Sequence, residues 1–123
     1  MQQEIERFAG KELLTEVTTV HWGTATRQTM RALRAEGVRI VAGYFDPYGD
    51  STGVSYYLPL AQWQYMKQRD YWKDTQENII FVRHDIVLNQ FKPADVVPQL
   101  ERIAADPHQA EIMELMIHEQ VRG

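Results

Sequence analysis

The sequence predicts a single α+β domain over residues 1–123, in which a small three-stranded sheet, mostly antiparallel or mixed, packs against four to five helices. Three observations lead to this class. Two β-branched runs, residues 38–45 and 79–89, favour strands, and several segments carry apolar residues at helical spacing. The chain has 123 residues, 44% of them hydrophobic and 24% charged, which is typical of one globular domain.

The N-terminal part of the chain predicts two helices separated by an ambiguous segment. Residues 1–14 carry apolar side chains at helical spacing. Residues 11–22 fit either a helix or a strand, because a β-branched run continues the helical stripe. Residues 24–36 are rich in helix formers, and Gly37 then provides a stop signal.

The middle of the chain predicts a hairpin, a helix and a central strand. Residues 38–45 and 54–58 form the hairpin, joined by a long loop over residues 46–53 that is dense in turn formers. Pro59 ends the second strand, and a helix follows over residues 60–73. Residues 79–89 are apolar on both faces, as expected of a strand covered on both sides.

The C-terminal third predicts two helices. Asp95 is placed to cap the first, with Pro98 in its first turn, where proline is tolerated. Asp106 and Pro107 give the second a capping residue and a proline at the first helical position. This final helix is predicted to run to about Val121.

Composition narrows the classes of partner and cofactor. There is no cysteine, which excludes disulfides and thiolate metal sites, and we expect no cofactor. Thirteen basic and 17 acidic residues give a formal charge of −4. This net charge repels phosphate, so nucleic-acid binding through the overall charge of the protein is disfavoured. No apolar run approaches the ~18 residues that a membrane span needs. The N-terminus does not resemble a signal peptide, so a cytoplasmic location is expected.

The leading hypothesis is a small accessory or regulatory protein that binds another protein, in the form of a homodimer. Trp63 and Met66 fall outside the core arc of the predicted helix over residues 60–73, where a contact surface or a covering helix would account for them. Arg27, Arg31 and Arg34 stack on one narrow face, as an anion or partner contact or as a solvated face. The apolar final helix adds surface that a second subunit would cover.

The alternative hypothesis is an enzyme or small-ligand binder whose site assembles His21, Tyr44, Asp46 and Asp50 from distant parts of the chain. The chain contains no phosphate-binding loop, dinucleotide fingerprint, zinc motif or nucleophile elbow, which favours a binding protein over an enzyme. Nucleic-acid binding through the three arginines is a third, less favoured hypothesis.

His84 and Asp85 invite a catalytic or metal-binding interpretation, but neighbours on a strand point to opposite faces. His84 shares its face with apolar residues, so the sequence favours a hydrogen-bonded core histidine. Arg83 and Asp85 share the other face and are expected to pair with each other or with neighbouring charges.

Overall fold

The computed structural model describes residues 3, 7, 16–20, 24–43 and 56–117. Residues 3 and 7 are helical, and the rest of the predicted N-terminal helix lies outside the described residues. The elements in chain order are β1 (Val17–Thr19), α1 (Arg27–Ala35), β2 (Ile40–Gly43), α2 (Leu60–Met66), β3 (Tyr71–Asp74), β4 (Ile79–Arg83), β5 (Ile86–Val87), a 3₁₀ turn (Leu88–Gln90), α3 (Pro93–Ala104) and β6 (Leu115–Met116).

The α+β class is confirmed, but the predicted counts of strands and helices are wrong. The larger sheet has four strands in the order β1-β2-β4-β3, and β5 and β6 form a second sheet of two strands. β1, β2 and β4 run parallel, whereas β3 is antiparallel to β4 and β6 is parallel to β5. The described residues contain three α-helices, and none of them is both long and apolar enough to span a membrane.

Helix α1 forms where the sequence predicts it. Thr26 caps the helix, because its side chain accepts a hydrogen bond from the backbone N–H of Thr29 at 3.2 Å. Gly37 follows the helix with φ of +96°, a left-handed conformation that glycine adopts without a steric penalty. The ambiguous residues before this helix include strand β1, which pairs with β2.

The predicted hairpin of residues 38–45 and 54–58 is wrong. Strand β2 pairs in parallel with β1 on one side and β4 on the other, so its two neighbours leave no position for a hairpin partner. Tyr56 and Tyr57 form a turn rather than a strand. Residues 44–55, which include the predicted loop, lie outside the described residues.

The predicted helix over residues 60–73 is also too long. Helix α2 ends at Met66, and Tyr71–Asp74 form β3 instead. A turn at residues 75–78, in which Asn78 has φ of +55°, reverses the chain into β4. The aromatic residues of β3 are good strand formers, and cross-strand pairing with β4 overrides the local helical pattern.

The central strand predicted at residues 79–89 is divided between the two sheets. β4 lies inside the larger sheet between β2 and β3, and it is apolar on both faces as predicted. The ladder stops at His84 and Asp85, and Ile86–Val87 then form β5 in the second sheet.

The prediction of two helices in the C-terminal third is also wrong, because only the first of them forms within the described residues. α3 begins at Pro93, two residues before the predicted cap at Asp95, and Pro98 lies inside the helix rather than in its first turn. Asp106 accepts the backbone N–H of His108, so the predicted cap forms a turn. The chain then extends into β6 instead of continuing as a helix, and residues 118–123 lie outside the described residues.

The core of the larger sheet centres on Phe81 in β4. Its ring contacts Tyr56, Tyr57 and Trp72, with ring centroids 5.5, 5.6 and 6.3 Å away. Tyr56 packs so closely over Gly43 that a Cβ at position 43 would lie 2.7 Å from the tyrosine ring. Burial raises the pKa of Tyr56 to about 12, so its hydroxyl keeps its proton and donates to the carbonyl of Ala42.

We expect Phe81→Ala to lower the free energy of unfolding by about 3–5 kcal/mol, because it removes a fully buried ring and leaves a cavity among three other aromatic side chains. Urea denaturation measures the loss. Leu60→Ala, at an exposed position in α2, is the control and should cost no more than about 0.5 kcal/mol. Equal losses in the two variants would contradict this description of the core.

Candidate interaction surface

Residues 106–117, called the C-terminal segment below, are anchored to the sheet by carboxylates that accept hydrogen bonds from the segment's backbone. Asp70 lies just before β3 and is only 3% exposed. Its Oδ2 accepts the N–H of Glu111 at 2.8 Å and the N–H of Ile112 at 3.0 Å. Hydrogen bonds to an ionised carboxylate are among the strong ones, so Asp70 fixes the path of the chain at these two residues.

A second carboxylate, Asp85, anchors the segment three residues further on. Its Oδ2 accepts the N–H of Glu114 at 2.9 Å, and its own N–H donates to the Glu114 carbonyl at 2.9 Å. Its Oδ1 pairs with Arg83 Nη2 at 2.7 Å, which confirms the predicted pairing of these two residues. The same Nη2 donates to Gln109 Oε1 at 2.9 Å, so Arg83 also contacts the segment directly.

His84 lies beside the segment. It is 8% exposed, and its Nδ1 lies 2.8 Å from Glu114 Oε1. Its backbone N–H donates to the Gly43 carbonyl at 3.0 Å, which joins the ends of β2 and β4. The predicted burial of His84 is confirmed, and the predicted hydrogen bond of its ring stays a prediction.

Although the segment is firmly anchored, its apolar side chains face solvent. Met113, Leu115 and Ile117, called the apolar stripe below, are 37%, 44% and 71% exposed. Leu115 begins β6, and Met113 and Ile117 lie two positions before and after it, the spacing at which an extended chain presents side chains on one face. Glu114 and Met116, at the positions between them, are half-buried. Apolar side chains are therefore exposed at positions where an edge strand usually presents polar ones.

The backbone of β6 presents an open edge beside this stripe. The Glu114 carbonyl accepts hydrogen bonds from the N–H groups of Asp85 and Ile86, so the Glu114 backbone faces β5. Backbone direction alternates along a strand, and the N–H and C=O groups of Leu115 therefore point away from β5. Among the described residues, no strand pairs with that edge.

A shallow cleft of about 130 Å³ lies where the C-terminal segment meets β3. Its lining residues are Tyr65, Arg69, Asp70, Tyr71, His108 and Glu111. Both tyrosines are exposed, and the Arg69 guanidinium lies 5.7 Å from the Tyr65 ring centroid and hydrogen bonds with His108 Nδ1. The cleft places two more aromatic side chains close to the segment.

The structure places the two predicted contact residues of α2 differently from the sequence analysis. Met66 is fully buried in the core with Phe81, so its predicted position outside the core face is wrong. Trp63 is half-buried and packs against the same core. Contact with a partner through Trp63 stays a prediction, whereas Met66 has no exposed surface to offer one.

Two of the three predicted arginines bind acidic residues of the same chain. Arg27 Nη1 lies 3.0 Å from Asp74 Oδ2 and 3.6 Å from Glu77 Oε1, and its guanidinium lies 4.4 Å from the Tyr57 ring centroid. Arg31 binds both carboxylate oxygens of Glu77, at 2.8 and 2.9 Å. These ion pairs join α1 to the β3–β4 turn.

Arg34 is half-buried in the last turn of α1. The ion pairs of Arg27 and Arg31 explain the position of α1 without a binding partner. Partner contact through the three arginines therefore stays a prediction.

The acidic residues of these ion pairs are held in their ionised form. The hydrogen bond from Arg31 and its positive charge hold the pKa of Glu77 below its usual value, despite burial. Burial alone would raise the pKa of Asp74, but hydrogen bonds from Tyr57 Oη and two backbone N–H groups, with the charge of Arg27, hold it below its usual value. Burial and the bond to Asp74 raise the pKa of Tyr57, which stays protonated.

The residues of the alternative hypothesis, His21, Tyr44, Asp46 and Asp50, lie outside the described residues, so an assembled site among them stays a prediction. Within the described ranges, no group of three His, Asp or Glu side chains is arranged to hold a metal ion.

The apolar stripe was not predicted, because the sequence of these residues fits a helix. Residues 112–117 contain five apolar side chains around Glu114, a pattern typical of an apolar helix as well as of a strand. The signal that favours a strand is distant in sequence, since Asp70 and Asp85 bind the segment's backbone.

No protein-family model, curated protein or solved structure matches this chain. Any inference about function therefore rests on the geometry described above.

We expect the free energy of unfolding to fall in acid, partly through the carboxylates bound by the arginines of α1. A carboxyl whose pKa is lower in the folded state stabilises the fold above its unfolded pKa of about 4, and this contribution disappears as pH falls through the folded value. Wild type should therefore be more stable than Glu77→Gln at pH 7, and the difference should vanish in strong acid.

Urea denaturation over a pH series measures this difference, with Glu101→Gln, at an exposed position in α3, as the control. A constant difference between wild type and Glu77→Gln down to strong acid would show that the Glu77 carboxylate does not act in this way.

Proposed function

We propose that this protein acts by binding another protein chain through the apolar stripe of its C-terminal segment. The observation that carries the proposal is the set of three exposed apolar side chains, Met113, Leu115 and Ile117, at and on either side of β6, whose outer edge no strand of the described residues pairs with. Single exposed apolar residues are ordinary on protein surfaces, whereas contiguous apolar patches mark interaction sites.

The anchoring of the segment supports this proposal. Asp70 and Asp85 accept hydrogen bonds from the backbone of residues 111, 112 and 114, which lie on both sides of Met113 and directly before Leu115. A surface held in one conformation loses little entropy when it binds, so pre-organisation favours recognition. The contacts that hold the stripe in place are themselves polar and inward-facing, and they leave its apolar side chains available.

The surroundings of the stripe also suit a protein interface. Ile112, which precedes Met113 in the sequence, is exposed. Tyr65 and Tyr71 are exposed at the cleft that Glu111 of the segment also lines. Aromatic residues and methionine are enriched at protein interfaces, where their large side chains contribute much of the contact area. The proposed surface thus differs from the one predicted on α2, while the class of function, protein–protein binding, is the same.

The test compares the chains that tagged protein recovers, both a co-expressed untagged copy and proteins of the source cell extract. We expect wild type to retain a chain well above the level of a tag-only control, and Leu115→Lys to lose it, because a lysine would carry an unpaired charge into an apolar contact. Leu115 is 44% exposed, so the substitution leaves the core intact.

Val17→Lys is the matched control, since Val17 is 42% exposed on β1, at the edge of the sheet opposite β3. It should recover the same chain as wild type. Equal recovery by wild type and Leu115→Lys, or recovery of no chain at all, would contradict the proposed function.

A further inference from the structure

We infer that the chain bound by the apolar stripe is a second copy of this protein, whose β6 pairs with the first in antiparallel orientation about a two-fold axis through Leu115. This inference rests on the proposed function and adds the identity of the partner and the geometry of the contact. It follows from the backbone direction, the side-chain pattern and the charges of the C-terminal segment.

The backbone of the segment is suited to this pairing. Leu115 directs its N–H and C=O groups away from β5, and a second strand paired along residues 113–117 would meet those of Met113 and Ile117 in the same direction. In an antiparallel pair centred on Leu115, this residue lies opposite its own copy and the two exchange both hydrogen bonds. Met113 then lies opposite Ile117 of the second copy, with the same backbone direction. The pair would satisfy the open edge of both strands at once.

The side chains match in the same register. Leu115 contacts Leu115 of the second copy, and Met113 contacts Ile117 of the second copy at both ends of the pair. Each member of the apolar stripe therefore gains a cross-strand apolar neighbour, and such pairs are the unit of sheet stabilisation. A strand that complements itself in this way forms a closed, isologous contact, which is the commonest type among oligomers.

Charge favours this register over its neighbour. With Leu115 at the axis, Glu114 lies opposite Met116 of the second copy, so the two Glu114 carboxylates do not face each other. A pair centred on Glu114 would place two glutamates directly opposite, which is destabilising. The protein carries a formal charge of −4, so the apolar and backbone contacts must also exceed the repulsion between two like-charged copies.

The size of the contact sets the expected affinity. Stable protein–protein interfaces bury about 800 Å² on each partner, more than a short strand pair provides by itself. We therefore expect an equilibrium between monomer and dimer that depends on concentration, rather than an obligate dimer.

Sedimentation equilibrium tests self-association directly. Wild type and Val17→Lys should form the dimer at high protein concentration, and Leu115→Lys should raise its dissociation constant about tenfold or more, because two lysines would face each other across the axis. A wild-type protein that stays monomeric at every concentration would overturn the inference.

Cysteine cross-linking tests the register, because the chain contains no cysteine of its own. A short bismaleimide linker should join two copies of Leu115→Cys, and it should join far fewer copies of Val17→Cys, whose side chain is similarly exposed. In a mixture, Met113→Cys and Ile117→Cys should cross-link with each other. Met113→Cys alone should not, since its two copies would lie about 14 Å apart along the paired strands.

The outcomes separate this inference from the proposed function. A monomeric wild type that retains a different protein, with retention lost in Leu115→Lys, would reject the second copy as partner and leave the proposed function standing. A dimer whose formation or cross-linking does not depend on positions 113, 115 and 117 would reject the β6 contact. A wild-type protein that forms no dimer and recovers no other chain would reject both proposals.

Discussion

The hydrogen bonds from the backbone of the C-terminal segment to Asp70 and Asp85 determine the position of the apolar stripe. A segment with this composition forms a helix readily, and its helical hydrogen bonds would need the same N–H groups that the two carboxylates accept. Because these carboxylates are buried, each requires donors, and the segment's backbone provides them. The chain is therefore not helical at residues 111–114, and Met113, Leu115 and Ile117 are exposed.

The carboxylates themselves are positioned by the sheet. Asp70 directly precedes β3, and Asp85 follows β4, so the β3–β4 pairing brings both to the end of the sheet where the segment lies. The opposite end of the same hairpin is held by Arg27 and Arg31 of α1, which bind Asp74 and Glu77. Buried carboxylates therefore hold a helix at one end of the hairpin and a strand at the other.

Local pattern identified α1, β2 and the interior position of β4, because each carries a strong signal within a few residues, such as the Gly37 stop after α1 or the β-branched run of β4. It failed where long-range pairing overrides propensity. The aromatic residues of β3 fit a helix until β4 is available as a partner, and the C-terminal segment fits a helix until Asp70 and Asp85 bind it. The burial of His84 and the Arg83–Asp85 pair were predictable, because strand alternation places His84 on the face opposite Arg83 and Asp85.

Site-resolved amide hydrogen exchange on the dilute wild-type protein tests the anchoring of the segment most directly. If Asp70 and Asp85 hold the segment as described, the amides of Glu111, Ile112 and Glu114 will be protected, while the amides of Leu115 and Ile117, at the open edge, will exchange rapidly. Unprotected amides at Glu111, Ile112 and Glu114, or a continuous run of protected amides through Ile117 as in a helix, would contradict the account.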